Sequence, residues 1–556
     1  MKRYNKVLFG LLLTSQVFTS CDKSFMDEKV LASYAPETLT DSLGMEAQIV
    51  GLQQQFNPFL CRDDRQGYLA VWQAGTDITM SVQPQGIETP YVTYGLLNST
   101  DEAASWTWSW AYKIINNANV IINNIETGNV GTMGQANKNS LKAEALFYRA
   151  YAYNLLATCY GGVPITTTPI TTAKTDFVRA TLDEVNQLIE SDLLYSAQYL
   201  PYIDQVKKSG SKFLYGRPNK AMAQQLLAEA YLRMDKPDKA EAQCDAIISS
   251  GKFSLITARY GVKKNQAGDY FSDMFFAGNQ RRSQGNTEII WDVEIENPTD
   301  VPGLSQGGNP QQRRVWGAAY HNLSGMKPAD SLGGRGIARM RLNNFVLYHL
   351  YEATDMRNSS YNIRRKFWYN DPSKSVTYGK PVIIPEKYID PADGKEKDRT
   401  TYADTLYKLC PYTTKWGQFD SRDEFGYGMW KDIPMMRLAE TYLLKAEAQF
   451  KQGKLGDAAT TINIIRARAN ATAVSASNIT MNFILDERAR ELLAEENRRM
   501  TLLRTKTLLQ RVAMANATTP ATYQVTGITE KNLLFPIPQS EIDLNKDAKL
   551  EQNPNY

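Results

Sequence analysis

The sequence predicts a mainly α-helical protein. Pairs of helices build a frame, and an irregular, loop-rich region with a few short strands packs on it. Three observations predict this. Residues 219–250, NKAMAQQLLAEAYLRMDKPDKAEAQCDAIISS, read as two helices joined at Asp235–Lys236–Pro237, where Pro237 suits the first turn of the second helix. Residues 433–469, IPMMRLAETYLLKAEAQFKQGKLGDAATTINIIRARA, repeat that layout with Gly453 in the turn. Between the two copies lies a long insertion, 251–432, dense in glycine and proline over 265–335. Loops carried on a rigid frame are where binding groups collect.

The chain opens with a positive cluster, Lys2, Arg3 and Lys6, then the apolar run Val7–Leu13, then Phe18–Thr19–Ser20 before Cys21. The apolar run is far shorter than the roughly 20 residues that span a bilayer, so it reads as a secretory signal. The small residues ahead of Cys21 resemble a bacterial lipoprotein signal, which implies cleavage before Cys21 and acylation of that residue. More than one acyl chain is needed for stable anchoring. The organisation expected is a signal peptide over 1–20, a lipidated tether over 21–40 and a single domain over 41–556. In that domain the frame covers about 41–250 and 433–510, and an extended tail covers about 530–556.

Each frame element has a local reason. Leu39 to Leu52 has helical spacing. Trp106 to Ile125 places Trp106, Trp110, Ile114, Ile121 and Ile125 on related turns, so its tryptophans read as core. Leu141 to Cys159 carries an apolar stripe of Leu141, Ala145, Tyr148, Ala152 and Leu155–Leu156. Gly161–Gly162 stops it and Pro164 prevents a restart. Glu288–Val293 reads as a short strand. Phe483 to Arg504 reads as one helix whose Glu and Arg residues pair along a solvated face. Pro536, Pro538 and Pro554 predict an extended tail laid on the body.

Composition narrows the function. The full chain has 63 basic and 59 acidic residues. The first 20 residues hold three of the bases and no acid, so the rest is close to neutral and has no field to draw nucleic acid. Cys61, Cys159, Cys244 and Cys410 form no C-x-x-C pair, so zinc is not expected; Cys159 and Cys244 sit in apolar helical patterns. The histidines are His321 and His349, and H-E-x-x-H, G-x-S-x-G and P-loop patterns are absent. No cofactor is expected, and a structural cation on loop carboxylates stays open. The 31 Tyr and 9 Trp exceed what a core needs, which suggests a ligand surface.

The helix pairs resemble the tetratricopeptide repeat, a helical unit of about 34 residues. Four stretches also resemble one family. They are Ala143–Glu144–Ala145 with Arg149–Ala150–Tyr151–Ala152–Tyr153, Tyr160–Gly161 and Val163–Pro164; Arg217, Lys220 and Leu226–Leu227–Ala228; Asp486–Glu491 with Arg498; and Pro536–Ile537–Pro538–Gln539–Ser540–Glu541–Ile542 with Gln552–Asn553–Pro554 and Tyr556. Together they resemble the SusD/RagB family of Bacteroidetes nutrient-binding lipoproteins. Glu496–Asn497 and Asn555 depart from the family pattern at positions that look structural. The resemblance implies a right-handed superhelical frame and a lipid-anchored position outside the outer membrane. It further implies a non-catalytic protein that hands an oligosaccharide to a SusC-like TonB-dependent transporter.

A sugar has apolar C–H faces and a polar rim, so its binder needs exposed aromatic rings beside hydrogen-bonding groups. Two windows qualify. Residues 68–110 offer Trp72, Asp77, Tyr91, Tyr94 and Asn98. Residues 309–341 offer Arg313, Arg314, Trp316, Tyr320, His321 and Arg335. Lys415–Trp416 reads as solvated packing beside them, and Asp77 as a cap or turn residue if it binds no ligand. A peptide binder of the same family, a glycosidase using two carboxylates and a plain tetratricopeptide scaffold are the competing readings; no carboxylate pair is marked for catalysis.

Overall fold

The structure is a computed structural model that describes residues 41–56, 60, 66–128, 130–131, 133–301, 310–383, 386–389, 395–398 and 404–556. The signal segment, Cys21, the tether and Cys61 lie outside the described residues. No helix of the described residues is long and apolar enough to cross a membrane.

The frame is a row of helices, each packed on the next. Glu102–Glu126 starts at Asp101, whose side chain accepts from the Ala104 N–H. It packs on Gln135–Tyr160, which ends where Gly161 turns to φ +78°. Leu182–Tyr199 follows with a capping box between Thr181 and Glu184, an N-terminal signal the sequence reading passed over. Lys220–Arg233 and Pro237–Ser249 come next. The chain then leaves the row and rejoins it when Leu438–Lys451 packs against Pro237–Ser249; Leu455–Arg468 closes the series. Alanines at Ala223, Ala228, Ala240, Ala446 and Ala448 are fully buried, and short side chains let helix axes approach. Cys159 and Cys244 are buried as small apolar groups, and burial pushes the Cys159 thiol up to about 12.

Short antiparallel strand pairs fasten the loop region to this frame. Ile289–Val293 pairs with Ile433–Arg437, with a bulge between Pro434 and Met436. The expected strand is present, but residues 433–437, expected to open the second helix pair, are extended. Pro434 lacks an N–H, and the strand feeds the helix directly at Leu438. Trp291 enters the aromatic core against Phe56, Phe147 and Tyr151 at 5.4–5.6 Å between ring centres. Thr79–Ser81 pairs with Met340–Leu342, which joins the two candidate windows.

The expected helix 483–504 is two helices, Met481–Glu491 and Arg498–Arg504. Ala494 takes φ +64° between them, and Asn497 caps the second by accepting from Met500 N–H. The first helix is also buried rather than solvated. Glu491 meets Arg437 at 2.6 Å, Arg357 at 3.1 Å and also Arg468. Glu487 meets Arg357, Arg466 and Arg490 at 2.7–2.8 Å. Only the Glu487–Arg490 pair follows the expected helical spacing. Burial alone would raise the Glu491 carboxyl, but Arg468, Arg437 and Arg357 hold it well below the usual range.

The tail is pinned as expected: Phe535 N–H donates to the Cys159 carbonyl, and Asn553 Nδ2 donates to Tyr160 and Phe535 carbonyls. It also contains a short helix, Gln539–Leu544, which the prolines were expected to forbid. Pro538 stands just before that helix, where its missing N–H costs nothing.

Glu491→Gln leaves three guanidinium groups without their shared charge. The expected loss is about 3–5 kcal/mol of stability, read as a lower urea midpoint. A variant as stable as its parent contradicts this account of the interior.

Candidate functional site

The first window folds inward. Asp77 is fully buried, and its carboxylate accepts from Arg498 at 2.8 and 2.6 Å and from Arg511 at 2.7 Å. Burial would raise its pKa, but these two cations hold it at about 2. Tyr91 donates to Asp101 at 2.7 Å, and Tyr94 donates to the Gly75 carbonyl at 3.3 Å. Arg499 lies 4.8 Å over the Tyr91 ring and donates to the Tyr94 hydroxyl. Trp72 stacks on Phe535 of the tail at 6.1 Å. Tyr91 and Tyr94 are fully buried and Trp72 nearly so, so none of these rings presents an exposed face to a sugar. They pack in the interior rather than form a stacking surface, and Asp77 is neither an exposed ligand group nor a simple cap but the centre of an ion triad. Asn98 is exposed, but its carboxamide closes a turn onto Leu96 and Thr100 beside the tail.

The second window divides. Trp316 is buried in a cluster with Trp416, whose indole N–H donates to the Ala494 carbonyl at 3.1 Å. Tyr320 is buried and donates to the Gly334 carbonyl at 2.7 Å. Both form the floor rather than the face. Lys415 is likewise not solvated: Nζ donates to the Glu491 carbonyl at 3.0 Å and contacts Glu495.

Above that floor the structure brings together Arg313, Arg314, His321 and Arg335 with two rings the sequence reading missed, Phe425 and Tyr427. Arg313, on the short helix Gln312–Trp316, is the staple: it donates to the carbonyls of Arg335, Gln418 and Gly426 at 3.1, 2.7 and 2.8 Å. That draws the loop after residue 418 against the loop at 333–336. The approach requires glycine at 334, which has φ +77°; a Cβ there would stand 2.2 Å from the Gln418 carbonyl oxygen. Tyr427 and Phe425 are 55% and 53% exposed. Arg314 lies 4.1 Å from the Tyr427 ring centre. Arg335 lies 5.3 Å from Tyr427 and 5.9 Å from Phe425, and it donates to the Phe425 carbonyl at 2.6 Å. His321 meets the edge of Phe425 at 6.2 Å.

The result is a surface with half-exposed aromatic faces, each held by a cation. Guanidinium over a ring stabilises the pair by about 0.5–2 kcal/mol and fixes the ring's orientation. Such a surface can stack on an apolar sugar face while guanidinium N–H groups address its oxygens. Trp368 and Tyr378 are also exposed, but no cation backs either ring among the described contacts. Phe425 and Tyr427 lie in the stretch SRDEFGYGMW, where aromatic residues alternate with glycine; that alternation was the available signal.

Two family models match the chain. One, described as the SusD family, matches residues 287–556, and the other, described as starch-binding and associating with the outer membrane, matches residues 70–232. The chain belongs to the SusD family. A SusD-like protein, P25, of Formosa agariphila is 24% identical over 98% of this chain and 97% of its own length. The starch-binding protein SusD of Bacteroides thetaiotaomicron is 26% identical over 75% of this chain and 72% of its own. Among solved structures, a SusD-like protein from Bacteroides fragilis aligns with TM-score 0.69 at 18% identity, covering 94% of this chain and 99% of that one. The surface glycan-binding protein A of Bacteroides thetaiotaomicron, solved with laminarihexaose, aligns with TM-score 0.65 at 18% identity over 93% and 100%. These alignments establish the SusD fold, with its helical frame and packed loops.

Burial, then the charges of Arg335 and Arg314, push His321 down to about 4 from its ordinary 6.5. The unfolded chain takes up this proton near 6.5 and the folded chain near 4. His321 therefore costs stability as pH falls through that interval. NMR titration is expected to show one of the two histidines neutral down to pH 5. A His321 midpoint near 6.5 contradicts the burial and charge described.

Proposed function

We propose that this protein is a non-catalytic, glycan-binding protein of the outer membrane, carried outside the cell on acyl chains at Cys21, that passes an oligosaccharide to a SusC-like TonB-dependent transporter. The observation that carries the reading is the pair of half-exposed rings, Phe425 and Tyr427, held in place by Arg314 and Arg335. A sugar ring laid on Tyr427 exchanges water for an aromatic face. Support comes from the relatives: SusD is a starch-binding protein, and the aligned surface glycan-binding protein A is solved with laminarihexaose. The model matching residues 70–232 is described by association with the outer membrane. The binding requires no cofactor, because ring faces and hydrogen bonds supply the whole of it.

The reading is tested by affinity electrophoresis in soluble polysaccharides, followed by calorimetry with oligosaccharides of whichever is retained. Tyr427→Ala and Phe425→Ala are each expected to weaken binding at least about tenfold, the scale of a binding hot spot. Melting temperature should stay that of the parent, and no new reducing ends should appear. Retention of every polysaccharide by both variants as by the parent, or steady release of reducing ends, overturns the assignment.

A further inference from the structure

Many of the buried arginines of this chain are neutralised by carboxylates, although Arg499 and Arg341 are held by neutral oxygens. Arg149 grips Asp192 with two contacts of 2.8 Å, Arg217 grips Glu144 with two of 2.7 Å, and Arg504 grips Glu447 at 2.6 and 2.7 Å. Arg498 and Arg511 share Asp77. The arginines around Phe425 and Tyr427 depart from that habit. Among the described residues, the hydrogen bonds of Arg313, Arg314 and Arg335 go to neutral oxygens: carbonyls of residues 335, 418, 425 and 426, and the carboxamides of Gln418 and Gln311. Arg314 is 5% exposed, and its Nε has no hydrogen-bond partner among the described residues; the same holds for Arg335 Nε and His321 Nδ1. Asp420 is engaged by Arg422, at 2.9 and 2.7 Å. Asp423 and Glu424 are exposed, and among the described residues neither stands within ion-pair distance of the three arginines; the charges of Asp423 and Asp420 reach Arg313 but not Arg314.

A half-buried guanidinium without a counter-charge carries a desolvation cost that a matching anion offsets. The fork of N–H groups on arginine fits carboxylate or sulfate oxygens better than it fits hydroxyls. The cation field is also visible at His321, which Arg335 and Arg314 help to keep neutral.

We infer that the glycan bound at Phe425 and Tyr427 is acidic, with a carboxylate or sulfate on its sugar rings that completes the charge at Arg314 and Arg335. This rests on the proposed glycan-binding function and adds the class of sugar. The rings supply stacking to any pyranose. The arginines supply the preference for the charged one.

The test uses the full chain and calorimetry at low and high sodium chloride. The probes are oligogalacturonate and oligoalginate, each against its carboxyl-reduced counterpart, and a sulfated galactan oligosaccharide against its desulfated counterpart. An oligoglutamate peptide is run beside them. The expected result is that at least one charged sugar binds tenfold or more tighter than its neutral counterpart, by an amount that shrinks as salt is raised. Carboxylated and sulfated arms tell the two anions apart. Arg314→Gln and Arg335→Gln should each erase most of that difference; because both guanidiniums also hold the rings, binding of the neutral counterpart falls too, but by a smaller factor than binding of the charged one. Arg335→Lys should restore part of it, which a merely structural role for Arg335 does not explain. Equal affinity for charged and neutral counterparts, with Tyr427→Ala weakening both, overturns the acidic class and leaves the glycan site standing. Tighter binding of oligoglutamate than of every sugar, or binding insensitive to Tyr427→Ala, overturns the glycan site as well.

Discussion

Buried charge organises this molecule. Glu491 is fully enclosed, and so is Glu288, which meets Arg437 at 2.6 Å and Arg468 at 2.9 Å. Arg437 ends a strand of the loop region, Arg468 ends a helix of the frame, and Glu491 ends the helix after it. One cluster therefore ties three parts of the fold that apolar packing alone would hold with less precise register. An ion removed from water costs several kcal/mol unless a partner stands at hydrogen-bond distance. The cluster consequently tolerates few relative placements of strand and helices.

The surface of Phe425 and Tyr427 hangs from that cluster through a short chain of contacts. Arg437 donates to Glu495 at 2.7 Å, and Glu495 also meets Lys415. Lys431 Nζ donates to the Gly417 carbonyl at 3.1 Å. Residue 417 packs against Gly333, and Gln418 N–H donates to the Gly333 carbonyl at 3.1 Å. Arg313 then clasps the same loop from beneath. Phe425 and Tyr427 thus stand on loop backbone held at several points, although neither belongs to a helix or a strand. A ring held in one orientation loses less entropy when a ligand stacks on it.

Membership of the SusD family and the details of the site rest on different parts of the chain. The helical row and the tail carry the motifs and the shared fold. The arginine-backed rings lie in the excursion between residues 251 and 432, where the frame sets no constraint on loop length. A common scaffold can therefore present different rings and charges to different nutrients.

Much of the frame was legible because its causes are local. Helical spacing, Pro237 at a first turn and Gly161 after a last turn act within a few residues, and the helices 102–126, 135–160, 220–233 and 237–249 stand close to where the pattern put them. The break in 481–504 was not legible, because it answers Asp77 and the Trp72 carbonyl, which are more than 400 positions away in the chain. The site divided in the same way. Sequence composition determined that aromatic and arginine residues were plentiful over 309–341, Arg314 and Arg335 among them. Only the tertiary structure decided which rings keep a face in water. Exposure is settled by what else packs against a side chain. Trp72, Tyr91 and Trp316 found distant partners in Phe535, Arg499 and the Trp416 cluster, whereas Phe425 and Tyr427 found arginines and the His321 ring on one side and solvent on the other.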